Sequence, residues 1–467
     1  MAHTPARIVV LGGGSIGLTA ARRLRKKLSK TDATITVIDA RPYMQYAPFL
    51  PETAAGNIDA RDVVAPLRKA LKKFDVLQGT VEKIDHANKT VTVMPEDNKP
   101  YDVQYDHVIN GLGSVSRLLP IPGLADEGIG LKNVEEAIAI RNRILNRMDV
   151  AASVFDAQER RRMLTFCFIG GGFAGIEAVA EIEDMARYAC RAYSTIDPAD
   201  LNFVVIEGAG RILPEVSEPM GEWALKTLEK RGITFHLNTF LSSCVDGHIV
   251  TSTGIEFETD TLVWCAGVKA NPVLADASDL PLDRMKRVTA LPTLQVAEED
   301  GTVVQGAWSG GDSTAVPDVI QEGKFCPPNA QYAVRQAKVL ADNVASEVKG
   351  GLNPVQEFSH KNIGVVCSLG LRKGVAEFLG GKIKLKGWLA WMAHRCYHLY
   401  AMPTGNRKAR ILIGWVGQAL LGREIVSLGS IEDPRKEFLK SATPVPSDGK
   451  PVEQKAVASA SEASAPK

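Results

Sequence analysis

Three glycines recur twice in this chain at the spacing G-x-G-x-x-G. They are Gly12, Gly14 and Gly17 in IVVLGGGSIG, then Gly170, Gly172 and Gly175 in FCFIGGGFAGIE. Glycines so spaced allow a tight turn and bring backbone N–H groups close to a pyrophosphate. The partial positive charge at the start of a following helix then holds that anion. One triplet alone is weak evidence, because the motif also needs a strand before it and a helix after it. Both copies meet that condition. Residues 8–11 and 164–169 read as apolar strands, and helical spacing runs over 16–28 and from Ile176 to about Tyr188. Gly170 follows Gly12 by 158 residues, about one domain length, so the pattern predicts two bound dinucleotides.

Acids stand where such nucleotides need them. Asp39 ends the second strand, 22 residues beyond Gly17, near the roughly 20 expected of a ribose-hydroxyl acceptor. Glu207 ends the matching strand of the second copy, 32 residues beyond Gly175; the excess is the polar stretch 192–200, read as a helix extension and loop. A carboxylate here accepts from a free ribose diol and repels a 2′-phosphate, so Glu207 favours NADH over NADPH. Arg211 stands close by in sequence and can blunt that preference. Gly311-Asp312 ends a strand over 303–308 and precedes a helix predicted over 327–348 with Pro327 and Pro328 at its start. A Gly-Asp pair is often only a turn. Its place downstream of the first glycine loop makes Asp312 a candidate for binding the polar chain of a flavin, with the helix N-terminus aimed at the ring. Glu177 lies two residues past Gly175, where the helix dipole favours an acid in any case and where nicotinamide and flavin would meet.

The elements that must position these residues make a large α/β protein. With 467 residues and 45% hydrophobic content, the chain has ample core for about three structural units. Lys and Arg number 55 against 54 Asp and Glu, so no global field favours nucleic acid. None of the seven cysteines forms a C-x-x-C pair, which argues against a redox dithiol and local zinc ligation. Cys167 and Cys265 read as small hydrophobes inside strands, and free thiols suit a reducing, cytosol-facing compartment. No signal peptide precedes the first strand, and no apolar run reaches about 18 residues. Residues 42–56 read as a proline-rich loop over a ligand or core edge, 76–93 as strands with a turn at 86–89, and 135–150 as a helix. A hairpin is expected over 248–261 and a buried strand over 261–266. Residues 382–410 mix lysines and arginines with Trp388, Trp391, Tyr397 and Tyr400. The stretch 387–402 is predicted to lie as a helix in a lipid headgroup region, with His394 and His398 as interfacial side chains. The Ser-, Ala-, Pro- and Lys-rich residues 441–467 are expected to be disordered.

Six stretches together resemble a known family. They are GGGSIGLTAA with Asp39, APFLPETAAG over 47–56, GGGFAGIE with VIEGAGRILP over 205–214, WSGGDS over 308–313, PPNAQYAVRQA over 327–337, and the basic-aromatic tract. Over about residues 5–425 the chain resembles the flavin-dependent pyridine-nucleotide oxidoreductases and, more narrowly, the type II NADH dehydrogenases, which are non-pumping NADH:quinone oxidoreductases. It departs from them in having Asp39 where Glu is more usual, and Arg335-Gln336 where many members carry Gln or Met. The resemblance implies an α/β fold of two Rossmann-like dinucleotide-binding domains, one inserted in the other, plus a C-terminal membrane-docking helical region. The expected boundaries are 1–123 and 267–350 for the FAD-binding domain, 124–266 for the NADH-binding domain, 351–440 for the membrane-associated region and 441–467 for the tail. FAD is expected on Gly12, Gly14, Gly17, Asp39, Gly311, Asp312 and Ala330, and NADH on Gly170, Gly172, Gly175 and Glu207. The resemblance places Gln331 near the flavin carbonyls and quinone head group, and Glu177 near flavin and quinone with a role in proton delivery. No metal is expected.

The implied reaction is hydride transfer from NADH to FAD, then passage of two electrons to a membrane quinone. The expected partners are that quinone and the membrane surface, with homodimer formation open and no nucleic acid. The expected location is peripheral, on the cytoplasmic face of the cell membrane. Alternatives are a soluble FAD-dependent NADH diaphorase, a sulfide:quinone oxidoreductase relative, which would need a cysteine pair by the flavin, and a degenerate flavoprotein kept for sensing or structure.

Overall fold

The computed structural model describes residues 4–428, apart from 73, 352 and 371, together with residue 435. The expected disorder of 441–467 lies outside the described residues. Each glycine loop springs from the middle of a parallel sheet. Strand Ala6–Leu11 lies between Ala33–Asp39 and His107–Asn110, in register Leu11↔Ile38 and Leu11↔Asn110. Strand Thr165–Ile169 lies likewise between Asn202–Ile206 and Thr261–Trp264. Every residue of Thr165–Ile169 is buried, as a strand covered on both faces must be. Phe166, Phe168 and Phe203 form its aromatic core, with ring centroids 5.1 and 6.5 Å apart. Burial of each such side chain stabilises the sheet by about 1.5–3 kcal/mol.

The two sheets are not consecutive in the chain. After the second sheet is complete, strand Val303–Ser309 returns to the first and pairs in parallel with His107–Asn110, Ala307 opposite Val108. Strand Gln295–Ala297 adds an antiparallel edge to it. Helix Ala330–Val348 then packs on helix Ser15–Lys27, and Ala20 and Ala21 on one helix and Ala333, Ala337 and Ala341 on the other are buried. This α/β architecture, one Rossmann-like sheet interrupted by another, is the expected fold class.

Three local expectations are corrected. Residues 42–56 are not a loop. They form strand Tyr43–Gln45, a turn Ala47–Phe49 and helix Leu50–Ala54, with Phe49, Leu50 and Glu52 buried. The prolines set the local turns, but Phe49 and Leu50 are bulky apolar groups with a core available, and they enter it. The helix predicted from Pro327 begins at Ala330, because the Asn329 side chain caps it by accepting from the Tyr332 N–H at 3.0 Å. Cys167 is fully buried, but Cys265 sits one residue past its strand and lines a cavity.

Beyond residue 360 the chain forms an antiparallel sheet, Gly364–Ser368, Gly374–Phe378 and Ile383–Lys386, then helices Trp388–Ala401 and Gly405–Leu421. Helix Trp388–Ala401 is amphipathic in an unexpected sense. His394 and Arg395 face inward at 1% and 8% exposure, so neither is interfacial. Trp415 also turns in, its Nε1 donating to Glu52 Oε2 at 3.3 Å. The outward apolar surface belongs mainly to helix Gly405–Leu421. Leu412, Ile413, Val416, Leu420 and Leu421 are exposed there, and Ile411 alone in the helix is buried.

Candidate active site

The glycine loops show why the spacing is needed. Gly12 and Gly170 adopt φ of 88° and 112°, which disfavour any side chain. A Cβ on Gly17 or Gly175 would run into the carbonyl of Gly12 or Gly170, so helix and turn touch backbone to backbone. At the middle glycines, Gly14 and Gly172, a Cβ would meet nothing within 4 Å. The backbone there is bare, as a closely approaching pyrophosphate requires.

The two strand-end acids hold these loops in the same way. Asp39 Oδ2 accepts from the Gly13 N–H at 2.6 Å and Oδ1 from the Arg41 N–H at 2.7 Å. Burial raises the Asp39 carboxyl above its ordinary range, against the lowering effect of those amides. Glu207 accepts from the Gly171 N–H through one oxygen and from the Ala209 N–H at 2.6 Å through the other. The Arg211 guanidinium donates through Nη2 to the Leu213 and Val216 carbonyls.

A cavity of about 620 Å³ runs from the first loop along Asp39, Gly113, Ser114 and Lys132 to Asp312, Asn329 and Ala330. Asp312 Oδ2 accepts from Ser114 Oγ at 2.8 Å and from Lys132 Nζ at 3.3 Å. Gln336, buried, accepts the Gly311 N–H at 2.8 Å and fastens the Gly-Asp turn to the helix. Bare backbone at Gly14 and Gly113, a ribose-seeking acid, and a helix N-terminus at Ala330 form a donor set that fits FAD. Every residue expected to hold FAD therefore lines this cavity, apart from Gly17, which closes the turn behind it, whereas Gln331 and Glu177, expected near the flavin, do not line it. Lys132 was missed because a lone lysine in a loop carries no spacing signal.

A second cavity, of about 980 Å³, shares the wall formed by Met44, Pro48, Lys132 and Ala330. Glu177 and Gln331 both line it, with Phe173 from helix Phe173–Ala189, Trp264 and Cys265 from the end of strand Thr261–Trp264, and Tyr397, His398 and Tyr400 from helix Trp388–Ala401. Gln331 Nε2 donates to the Gly364 carbonyl at 3.3 Å, and its Oε1 lies 3.2 Å from His360 Nε2. Glu177 Oε1 accepts the Ser368 N–H at 2.9 Å and lies 3.0 Å from His394 Nε2. Behind this pair is a buried charge cluster. His394 Nδ1 is 3.9 Å from Glu52 Oε1, and Arg395 bonds Glu52 Oε2 at 3.1 Å. Glu181 accepts from Asn57 Nδ2 at 2.6 Å and from the Ser368 hydroxyl. Burial alone would lower His394, but Glu177, Glu52 and Glu181 together raise it. Glu181 is pushed up to about 7, first by burial and then by Glu52. Two acids four apart in the otherwise apolar stretch 173–182, Glu177 and Glu181, were the available sequence signal for this cluster.

The chain matches the model of the pyridine nucleotide-disulphide oxidoreductase family over residues 6–337. It is 30% identical to the type II NADH:quinone oxidoreductase NdhA of Mycobacterium tuberculosis, covering 89% of this chain and 87% of that protein. The chain belongs to the pyridine nucleotide-disulphide oxidoreductases, in the type II NADH:quinone oxidoreductase branch. The type II NADH:quinone oxidoreductase of Staphylococcus aureus is 29% identical over 82% of this chain and 92% of its own length. The NDH2 structure from Plasmodium falciparum in complex with NADH shares the fold at a TM-score of 0.80 and 17% identity, over 90% of this chain and 99% of that one. As a member of this branch, the protein is an oxidoreductase enzyme.

Proposed function

We propose that this type II enzyme transfers a hydride from NADH to FAD and two electrons from FAD to a membrane quinone, without pumping protons. The observation that carries the reading is the shared wall. The cavity that fits FAD and a second, larger cavity meet at Pro48, Lys132 and Ala330, and Glu177 and Gln331 line the second. When bound, FAD would supply the two-electron step between nicotinamide and quinone. The chain's own residues bind, orient and exclude water. Gly12, Gly14, Gly17, Asp39, Gly311, Asp312 and Ala330 hold FAD. Gly170, Gly172, Gly175 and Glu207 hold NADH, and Glu207 excludes the 2′-phosphate of NADPH. Gln331, steadied by Gly364 and His360, orients the quinone head group. Glu177, 3.0 Å from His394 Nε2, delivers a proton toward the quinone.

The quinone arrives from a membrane surface on which the protein lies peripherally, at its cytoplasmic face. The exposed apolar side of helix Gly405–Leu421 supports that reading, as do exposed Trp388 and Leu389 and, at the second cavity, Tyr400. No described helix is long and apolar enough to cross a membrane. Stopped-flow absorbance tests the reaction. NADH should bleach the bound flavin, and a short-chain quinone should restore it at a rate that sustains turnover. Fast reoxidation by ferricyanide with slow reoxidation by quinone would instead assign a diaphorase.

A further inference from the structure

We infer that His398, steadied by Tyr46, is a hydrogen-bond donor to the carbonyl of the quinone head group. The inference rests on the quinone reading of the second cavity. His398 comes from helix Trp388–Ala401, Tyr46 from the segment after strand Tyr43–Gln45, and both line that cavity with Glu177 and Gln331.

Four rings fix the plane of the imidazole. His398 meets Tyr46 at 5.9 Å, Phe49 at 5.7 Å, His394 at 4.5 Å and Tyr397 at 5.0 Å between centroids, each edge to face. Its Nδ1 lies 3.0 Å from the Tyr46 hydroxyl. Nε2 has no hydrogen-bond partner among the described residues, and His398, half-buried, lines the cavity.

The hydrogen positions follow from which groups would be left unsatisfied. Burial, reinforced by the charge of His394, holds His398 well below its ordinary range, so it is neutral and carries one N–H. Burial likewise keeps the Tyr46 hydroxyl protonated. If Nδ1 donated to Tyr46, the buried phenolic hydrogen would have no acceptor, and such a loss is costly. The Tyr46 hydroxyl therefore donates to Nδ1, and the imidazole hydrogen sits on Nε2, the edge left for the cavity. A neutral donor on an aromatic wall suits a quinone carbonyl, which offers only lone pairs and is bound from an apolar phase. This donor stands on an element different from those that carry Glu177 and Gln331.

The test uses the FAD-loaded enzyme with ubiquinone-1 and menadione as probes. It reads quinone dissociation constants from tryptophan quenching of the oxidised protein, and both half-reactions by stopped flow. His398→Phe keeps the ring packing and removes the donor. It should weaken both probes by about 3- to 10-fold, with the loss confined to the quinone half-reaction. His398→Gln, which can still donate, should lose less than His398→Phe, and Tyr46→Phe should show a smaller loss of the same kind. If His398→Phe does not fold, the Tyr46→Phe comparison carries the test. Quinone binding unchanged in His398→Phe overturns the assignment, as does equal loss in the Gln and Phe variants. A wild-type enzyme that neither binds quinone nor is reoxidised by it overturns the quinone reading itself.

Discussion

Asp39 and Glu207 do one job twice. Each closes a glycine turn by accepting backbone N–H groups through both carboxylate oxygens, and each is the acid proposed to meet a ribose. Glu207→Gln keeps an acceptor for the Gly171 N–H but loses the charge. The KM for NADH should rise by roughly 10- to 100-fold, the worth of one charge-assisted hydrogen bond, and the gap to NADPH should narrow. An unchanged NADH-to-NADPH ratio of kcat/KM would remove Glu207 from the ribose site. Glu181 makes a different prediction, because its fully buried carboxyl is pushed up to about 7. Between the ordinary carboxylate range and pH 7 the folded state holds a proton that the unfolded state has released. The stability this contributes is complete below the unfolded pKa and lost as pH rises through about 7. Glu181→Gln is neutral at every pH. Chemical denaturation at pH 5 and pH 8 should show wild type losing about 2–3 kcal/mol more than the variant over that interval. Parallel losses would mean that Glu181 ionises normally.

Among the elements, the two C-terminal helices divide labour that the sequence pattern had assigned to one. Helix Trp388–Ala401 sends His394 and Arg395 to the carboxylates of the interior, and Arg395 stacks on Trp391 and Trp415 at 4.3 and 4.6 Å. Helix Gly405–Leu421 turns its apolar side outward. Deleting the chain from Lys382 onward would therefore remove His394 and Arg395, which pair with Glu177 and Glu52, along with any membrane contact. The cleaner variant is Ile413→Glu with Leu420→Glu and Leu421→Glu. Affinity for sedimenting lipid vesicles should fall at least about 100-fold, while flavin reduction by NADH is retained. Vesicle binding at the wild-type level would place the docking surface elsewhere.

At the level of the whole molecule, the proposed function draws the NADH-binding acid from the second sheet and the quinone-orienting residue from the helix after the first. Glu207 ends a strand of the second sheet, whereas Gln331 begins the helix that follows the last strand of the first. Substitutions at these places should not couple. In Glu207→Gln/Gln331→Ala, flavin reduction should match Glu207→Gln alone and quinone reoxidation should match Gln331→Ala alone. Slowing of both half-reactions in either single variant would contradict that separation.

The glycine loops, the strand-end acids and the α/β class were legible because their causes are local. A tight turn before a helix demands glycine at fixed positions whatever surrounds it, and an acid at a strand end lies beside that turn by the geometry of adjacent parallel strands. The neighbours of Glu177 were not legible. Arg395 bonds Glu52 across 343 residues of sequence, and Ser368 reaches Glu177 across 191. Helical spacing in 387–402 showed a polar side and an apolar side, and by itself it favoured water or lipid headgroups for His394 and His398. Tertiary structure reversed that choice for a physical reason. Buried carboxylates on helices Leu50–Ala54 and Phe173–Ala189 need cationic partners, and that demand, visible only once those helices face Trp388–Ala401, draws His394 and Arg395 into the interior.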